Sequence, residues 1–184
     1  MYKIRLINIF RHLHVVNRHR FKVFLLCLRC GIVWQGLIHD LSKYSFTEFF
    51  EGVKYFQGNR SPIEACKEDI GYSLAWLHHK GRNKHHYEYW YDYSLKENSP
   101  VIPFKYYCEM MCDNIAAGMI YNKGSWTEYK SLEFWNNKRE KLKPFLNKKM
   151  INLLDASFSE MIKVGYKQFI KKDNLKKIYN KNTR

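Results

Sequence analysis

The chain has 184 residues, 46% of them apolar, with 32 Lys and Arg against 17 Asp and Glu and a formal net charge of +15. This length and apolar content suit one domain, or one domain with an appendage, and exclude a chain disordered throughout. The charge favours an anionic partner such as a nucleotide, a nucleic acid or an acidic lipid surface.

Apolar residues recur at three- and four-residue intervals in most segments, and only 4 prolines occur, which predicts an all-α fold. Helices are expected at residues 3–14, 18–30, 33–42, 45–57, 62–79, 84–94, 103–121, 127–138, 144–154 and 156–172. Ser45 with Glu48 reads as a capping box, and Ser61 before Pro62, with Glu64, as a second helix start. Gly31 and Gly58 are expected stops, and "ENSPVIP" is a linker that its prolines keep out of a helix. The apolar stretch "FKVFLLCLRCGIVWQGLIHD" is interrupted by Lys22, Arg29 and Gln35, so no membrane span is expected. The amino terminus lacks the apolar run and cleavage site of a secretion signal, which points to a reducing, cytoplasmic location. Residues 136–184 hold 14 basic against 4 acidic residues, a net of +10. They read as a basic helical extension with a solvated face, or as a segment binding nucleic acid through its backbone.

Five cysteines are an odd number for a disulfide framework. Cys27 with Cys30 and Cys108 with Cys112 could form a four-sulfur zinc site. Both pairs lie at helical spacing among Phe, Leu and Met, however, where a free thiol behaves as a small apolar residue, and core packing is the better reading.

The residues that could carry chemistry begin with His39 and Asp40. They follow the apolar run "GIVWQGLI", so an imidazole and a carboxylate enter the interior together, and Asp40 could bridge two ions. A second acid, Asp113, sits in the otherwise apolar run from Met110 to Ile120, where a metal ligand is easier to rationalise than an unpaired aspartate. His19 shares a helix face with Val23 and Leu26 and should look inward. His12 and His14 lie in a basic segment and have weaker claims. The remaining four histidines crowd "WLHHKGRNKHHYEYW", residues 76 to 90.

The order His19, His39 with Asp40, then Asp113, on helices, resembles the H…HD…D signature of the HD-domain superfamily of metal-dependent phosphohydrolases. "HDLSKYSFTEFF", "YFQGNRSPIEA", "GYSLAWLHHKGRNKHHYEYW" and "MMCDNIAAG" together resemble domain of unknown function 5662 over about residues 15–122. The resemblance implies an HD-like helical bundle over residues 1–135, followed by the basic extension 136–184. It implies that His19, His39, Asp40 and Asp113 bind a first ion, with Asp40 bridging to a second and Lys43 beside the substrate phosphate. Further histidine ligands are expected from the 78–86 segment. His79 and His86 would lie about 10.5 Å apart along an unbroken helix, too far to share an ion. Gly81 and Asn83 supply a break that could return His86 to His79, with a new helix from about Lys84. His78, His85 and Glu88 are then expected to support the ligands or face substrate, and Lys80, Arg82, Asn83 and Lys84 to capture phosphate.

The expected activity is hydrolysis of a phosphomonoester or phosphodiester, of a nucleotide or another phosphorylated small molecule, with Asp40 orienting and helping to deprotonate water. One or two divalent transition metals are expected, from Mn, Fe, Co, Ni and Zn. Two rivals follow: a di-iron oxygenase of the same superfamily, and a nucleic-acid-binding module with a structural metal.

Overall fold

Val15, Val16 and Asn17 are mediocre helix formers, each costing less than about 1 kcal/mol relative to Ala, and nothing among them stops a helix. In the computed structural model, which describes residues 2–122 and 124–184, the two helices expected at 3–14 and 18–30 are therefore one. Helix α1 (Leu6–Cys30) buries Asn8, His12, Val16, His19, Val23, Leu26, Cys27 and Cys30, a single stripe at three- and four-residue spacing. It ends at Gly31, whose φ of 71° lets Ile32 donate back to the Cys27 carbonyl.

The chain continues through α2 (Val33–Ile38), a 3-10 turn (Leu41–Tyr44), α3 (Phe46–Lys54), α4 (Pro62–Ile70), α5 (Leu74–Lys80) and a second 3-10 turn (Tyr87–Tyr89). Then come α6 (Phe104–Tyr121), α7 (Glu128–Leu142), α8 (Lys148–Val164), α9 (Tyr166–Phe169) and α10 (Lys172–Thr183). The fold is all-α, and no strand occurs among the described residues.

Several boundaries differ from expectation. The helix expected at 62–79 is two, because Gly71 adopts φ 83° and Ser73 restarts the chain as an N-cap accepting from Trp76 N–H. The helix expected at 33–42 stops at Ile38, and the one expected at 84–94 is a loop holding only the second 3-10 turn. Helices expected at 144–154 and 156–172 merge across Asp155 into α8, followed by short α9. Asp155 does not break α8 because its carboxylate is occupied: Arg139 donates to it at 2.7 and 2.8 Å, and Trp135 Nε1 at 2.8 Å.

The main core is built on α6, which packs along α1 and, with α7, α8 and α10, encloses Met111, Ile115, Met150, Leu153, Phe158 and Met161. All five cysteines are free and buried; Cys27, Cys30, Cys108 and Cys112 belong to this core, with Cys30 Sγ 3.4 Å from Cys112 Sγ. The basic end contributes to the same core, since α10 turns Leu175 and Ile178 inward and leaves Lys176 and Lys177 exposed. The expected boundary after residue 135 falls inside α7. A second, much smaller apolar cluster of Tyr55, Ala65 and Cys66 supports α3 and α4.

Candidate metal centre

Four segments converge between α1 and α6. The buried stripe of α1 presents His19, and α6 presents Glu109 and Asp113, four residues apart and so on one face. His39 and Asp40 occupy the corner after α2. There Asp40 takes a left-handed conformation, φ 53°, that aspartate tolerates better than bulky residues. Arg20 fixes this corner by donating to the carbonyls of His39 (2.7 Å) and Leu37 (2.9 Å).

Around the corner, the ligand atoms of His19, His39, Asp40 and Asp113 come together. His19 Nε2 lies 3.0 Å from Asp113 Oδ1, 3.4 Å from His39 Nε2 and 3.7 Å from Asp40 Oδ2, while His39 Nε2 lies 3.4 Å from Asp40 Oδ2. An ion with bonds of about 2.1 Å sets its ligands about 3.0 Å apart at octahedral corners and about 3.4 Å apart at tetrahedral ones. Three of these edges fall in that range, and the His19–Asp40 edge is about 0.3 Å longer than its upper end.

A second cluster joins the other oxygen of Asp40 to the histidine-rich segment. His79 Nε2 and His85 Nε2 lie 3.3 and 3.5 Å from Asp40 Oδ1, and His86 Nε2 lies 2.9 Å from His79 Nε2. α5 ends at Lys80 and Asn83 folds the following loop back. Its backbone N–H and its side-chain amide both donate to the His79 carbonyl, and the amide also donates to Ser42 Oγ. Asp40 Oδ1 and His85 Nε2 are buried yet have no hydrogen-bond partner among the described residues. Orphaned polar atoms of that kind are costly, and a shared cation is what would satisfy both.

Two carboxylates that ordinary motif reading passes over set the imidazoles. Glu109 Oε1 lies 2.9 Å from His39 Nδ1 and 3.0 Å from His85 Nδ1; Glu48 lies 2.6 Å from His78 Nδ1 and 2.7 Å from His79 Nδ1. An ionised carboxylate only accepts, so each Nδ1 donates, which turns Nε2 of His39, His79 and His85 towards the clusters. Ser45 Oγ accepts from Glu48 N–H as a capping residue should, but the Glu48 side chain goes to the histidines instead of completing the capping box.

Burial opposes charge on Asp40 and Asp113. The cationic neighbours His39 and Lys43 outweigh it for Asp40, and the His19 and His39 imidazoles beside it outweigh it for Asp113, so both carboxyls stay well below the usual range. Burial likewise pulls His19 and His86 down, which favours their neutral rings. For His39, the charge of Asp40 and hydrogen bonds to Asp113, Asp40 and Glu109 overcome burial and hold its proton above the ordinary value. Lys43 Nζ sits 2.9 Å from Asp40 Oδ2, and that pairing outweighs burial and raises its ammonium.

The clusters form the floor of a cavity of about 680 Å3. Of the expected residues, Lys43 lines it, whereas Lys80, Arg82, Asn83 and Lys84 do not. Arg82 is exposed and donates to the His78 carbonyl, and the Lys84 ammonium lies 5.8 Å from the rings of Tyr89 and Tyr106. The loop turns its histidines inward, and its cations necessarily face the other way. The cavity takes its positive charge instead from Lys43, Arg60, Lys67, Lys130 and Lys138. The His85 ring, expected beside the ligands, stands within the second cluster, and the His78 side chain bonds only to Glu48. Glu88 lines the cavity but accepts from no histidine, and burial keeps its carboxyl above the ordinary range. His12 is a packing residue against Phe49 and Phe56, held by burial at about 4, and His14 is exposed.

Residues 8–160 match a family of unknown function, DUF5662. The chain belongs to that family. All the site residues named above lie inside the matched region, which reaches well into α8. No curated protein and no solved structure matches the chain.

Proposed function

We propose that this member of DUF5662 is a metal-dependent phosphohydrolase of HD-domain type, acting in the cytoplasm on a phosphomonoester or phosphodiester, and that its substrate is a nucleotide. The observation that carries the proposal is Asp40. One buried carboxylate turns its two oxygens to two separate sets of ligand atoms, beneath a cavity where five cationic side chains stand among the carboxylates of Glu51, Glu64 and Glu88. His19, His39, Asp40 and Asp113 would hold one divalent ion, and Asp40, His79, His85 and His86 a second. When bound, such ions acidify water and neutralise charge on a phosphoryl group.

The protein's own groups do the rest. Asp40, kept ionised by its cationic neighbours, orients water through its carboxylate oxygens. Lys43 offers a fixed positive charge beside the carboxylates, where phosphoryl oxygens would arrive. Glu109 and Glu48 hold the imidazoles of His39, His79 and His85 in one orientation, so little rearrangement is needed on binding.

Elemental analysis of wild type beside Asp40→Ala, with phosphatase and phosphodiesterase panels on the same samples, tests this. Wild type is expected to carry metal near stoichiometric levels and to hydrolyse at least one phosphate ester; Asp40→Ala is expected to lose both metals and at least about 100-fold in rate. A metal-free wild type that added manganese does not activate would refute the proposal. Three imidazoles on the second cluster also suit iron, which favours an oxygenase as the second reading. A visible absorption band with oxygen-dependent turnover would select it, and turnover with manganese in the absence of oxygen would select the hydrolase.

A further inference from the structure

The outer face of α1 and α2 is apolar where a solvated helix pair would be polar. On α1, Phe21, Leu25 and Leu28 follow one another at helical spacing directly opposite the buried Val23, Leu26, Cys27 and Cys30; Phe21 is 61% exposed. On α2 only Gly36 is buried. A Cβ there would meet Cys27 Cβ at 2.8 Å, so α2 lies hard against α1 and turns Trp34, Leu37 and Ile38 away from it, Trp34 being 66% exposed. Val33 and Leu41 extend the same exposure at either end of α2. Soluble monomers rarely leave so many large apolar side chains together on adjoining helices without a use.

The charge beside this face has one sign. Residues 1–39 contain 7 Lys and Arg and no Asp or Glu. Arg11, Arg18, Lys22 and Arg29, spaced by seven, four and seven residues, form a cationic stripe along α1 next to the apolar one. Lys172 at the start of α10 reaches Gly31 at the end of α1 and adds to it.

We infer that this face docks on an anionic lipid bilayer, with Phe21, Leu25, Trp34 and Leu37 entering the headgroup boundary and the cationic stripe meeting lipid phosphates. The pairing of features decides the occupant. A second copy would bring cationic stripes against each other, and a nucleic acid would use the cations but leave Phe, Leu and Trp side chains in water. An acidic membrane surface takes both. Among the described residues no helix is long and apolar enough to cross a membrane, so the contact would be peripheral. Arg20 ties this helix pair to the His39–Asp40 corner, which places the metal centre close behind the bilayer-facing surface.

Co-sedimentation of the full chain with vesicles of phosphatidylcholine alone, or of equal parts phosphatidylcholine and phosphatidylglycerol, tests the inference. Binding is expected only to the anionic vesicles. It should weaken with salt and shift the Trp34 emission to the blue, a shift that Trp34→Phe removes. Replacing Arg18, Lys22 or Arg29 by Gln should weaken binding about fivefold per residue. The pair Trp34→Ser with Leu37→Ser should weaken it about tenfold or more, with helical content and metal content unchanged as evidence that the fold survives. Absence of binding to either vesicle would overturn the inference. So would a wild-type dimer that the Ser pair converts to monomer without any vesicle affinity, which would make a second copy the occupant.

Discussion

Two faces of α6 meet different kinds of interior. Towards α7, α8 and α10 it meets Met150, Leu153, Phe158 and Met161 in an apolar core with almost no polar content. Towards α1 and α3 to α5 it meets the buried His19, His39, Asp40, His79 and His85, with Glu48 and Glu109 around them, and the apolar support there shrinks to the small cluster of Tyr55, Ala65 and Cys66 with Val16, Val53 and Ala75. The first interior is stabilised by area removed from water. The second is stabilised by hydrogen-bonded charge, which roughly offsets its own desolvation and returns little net stability. The division implies that the apolar half carries the fold and the polar half is free to be specialised for binding.

The sharpest way to break that comparison is in the apolar half. Phe158→Ala should cost about 3–5 kcal/mol in urea unfolding, while protein that remains folded keeps the metal content of wild type. Loss of metal from folded Phe158→Ala would mean that the two halves are not separable. In the polar half the expected pattern is reversed: Glu109→Gln should lower metal affinity about 10- to 100-fold, because two imidazoles lose their acceptor, with a smaller change in the unfolding midpoint of chelator-treated protein. Competition against a metal-sensitive dye measures the first, and an unchanged affinity would remove Glu109 from the account. The smallest effect belongs to Glu88. Burial raises its folded-state pKa, so the folded form binds this proton more tightly than the unfolded one. Its contribution is fully present below the ordinary carboxyl range and is lost as pH rises through the raised value. Glu88→Gln should therefore stabilise the protein at neutral pH by about 1 kcal/mol and have no benefit in acid, which thermal melts at two pH values resolve.

The founding residues of the site were legible because each broke a local pattern: Asp113 interrupts an apolar helix, His39 and Asp40 end one, and His19 replaces an aliphatic residue on a buried stripe. What stayed hidden depends on chain reversal or on a residue with two roles. No periodicity says which of His78, His79, His85 and His86 turn inward, since a loop pinned by Asn83 decides it, and the same turn sends Arg82 and Lys84 outward. Glu48 occupies a capping position and so looked already explained. Glu109 carried a readable signal, an acid one turn before Asp113 on the same face. The division of the long central segment into α4 and α5, and the continuity of α1, were decided by a left-handed Gly71 and by the burial of Val16, which local propensity weighs poorly. The basic tail looked solvated because lysines dominate its composition, although Leu175 and Ile178 are its structural content.

Gly36 gives the site its mechanical reference. Because the Gly36 backbone rests directly on Cys27 and Phe24 of α1, with no room for a Cβ of its own, α2 brings no side chain to this contact. The position of His39 and Asp40 is thereby registered directly against the helix that carries His19. A methyl group inserted at the contact would act as a shim and displace one half of the site from the other.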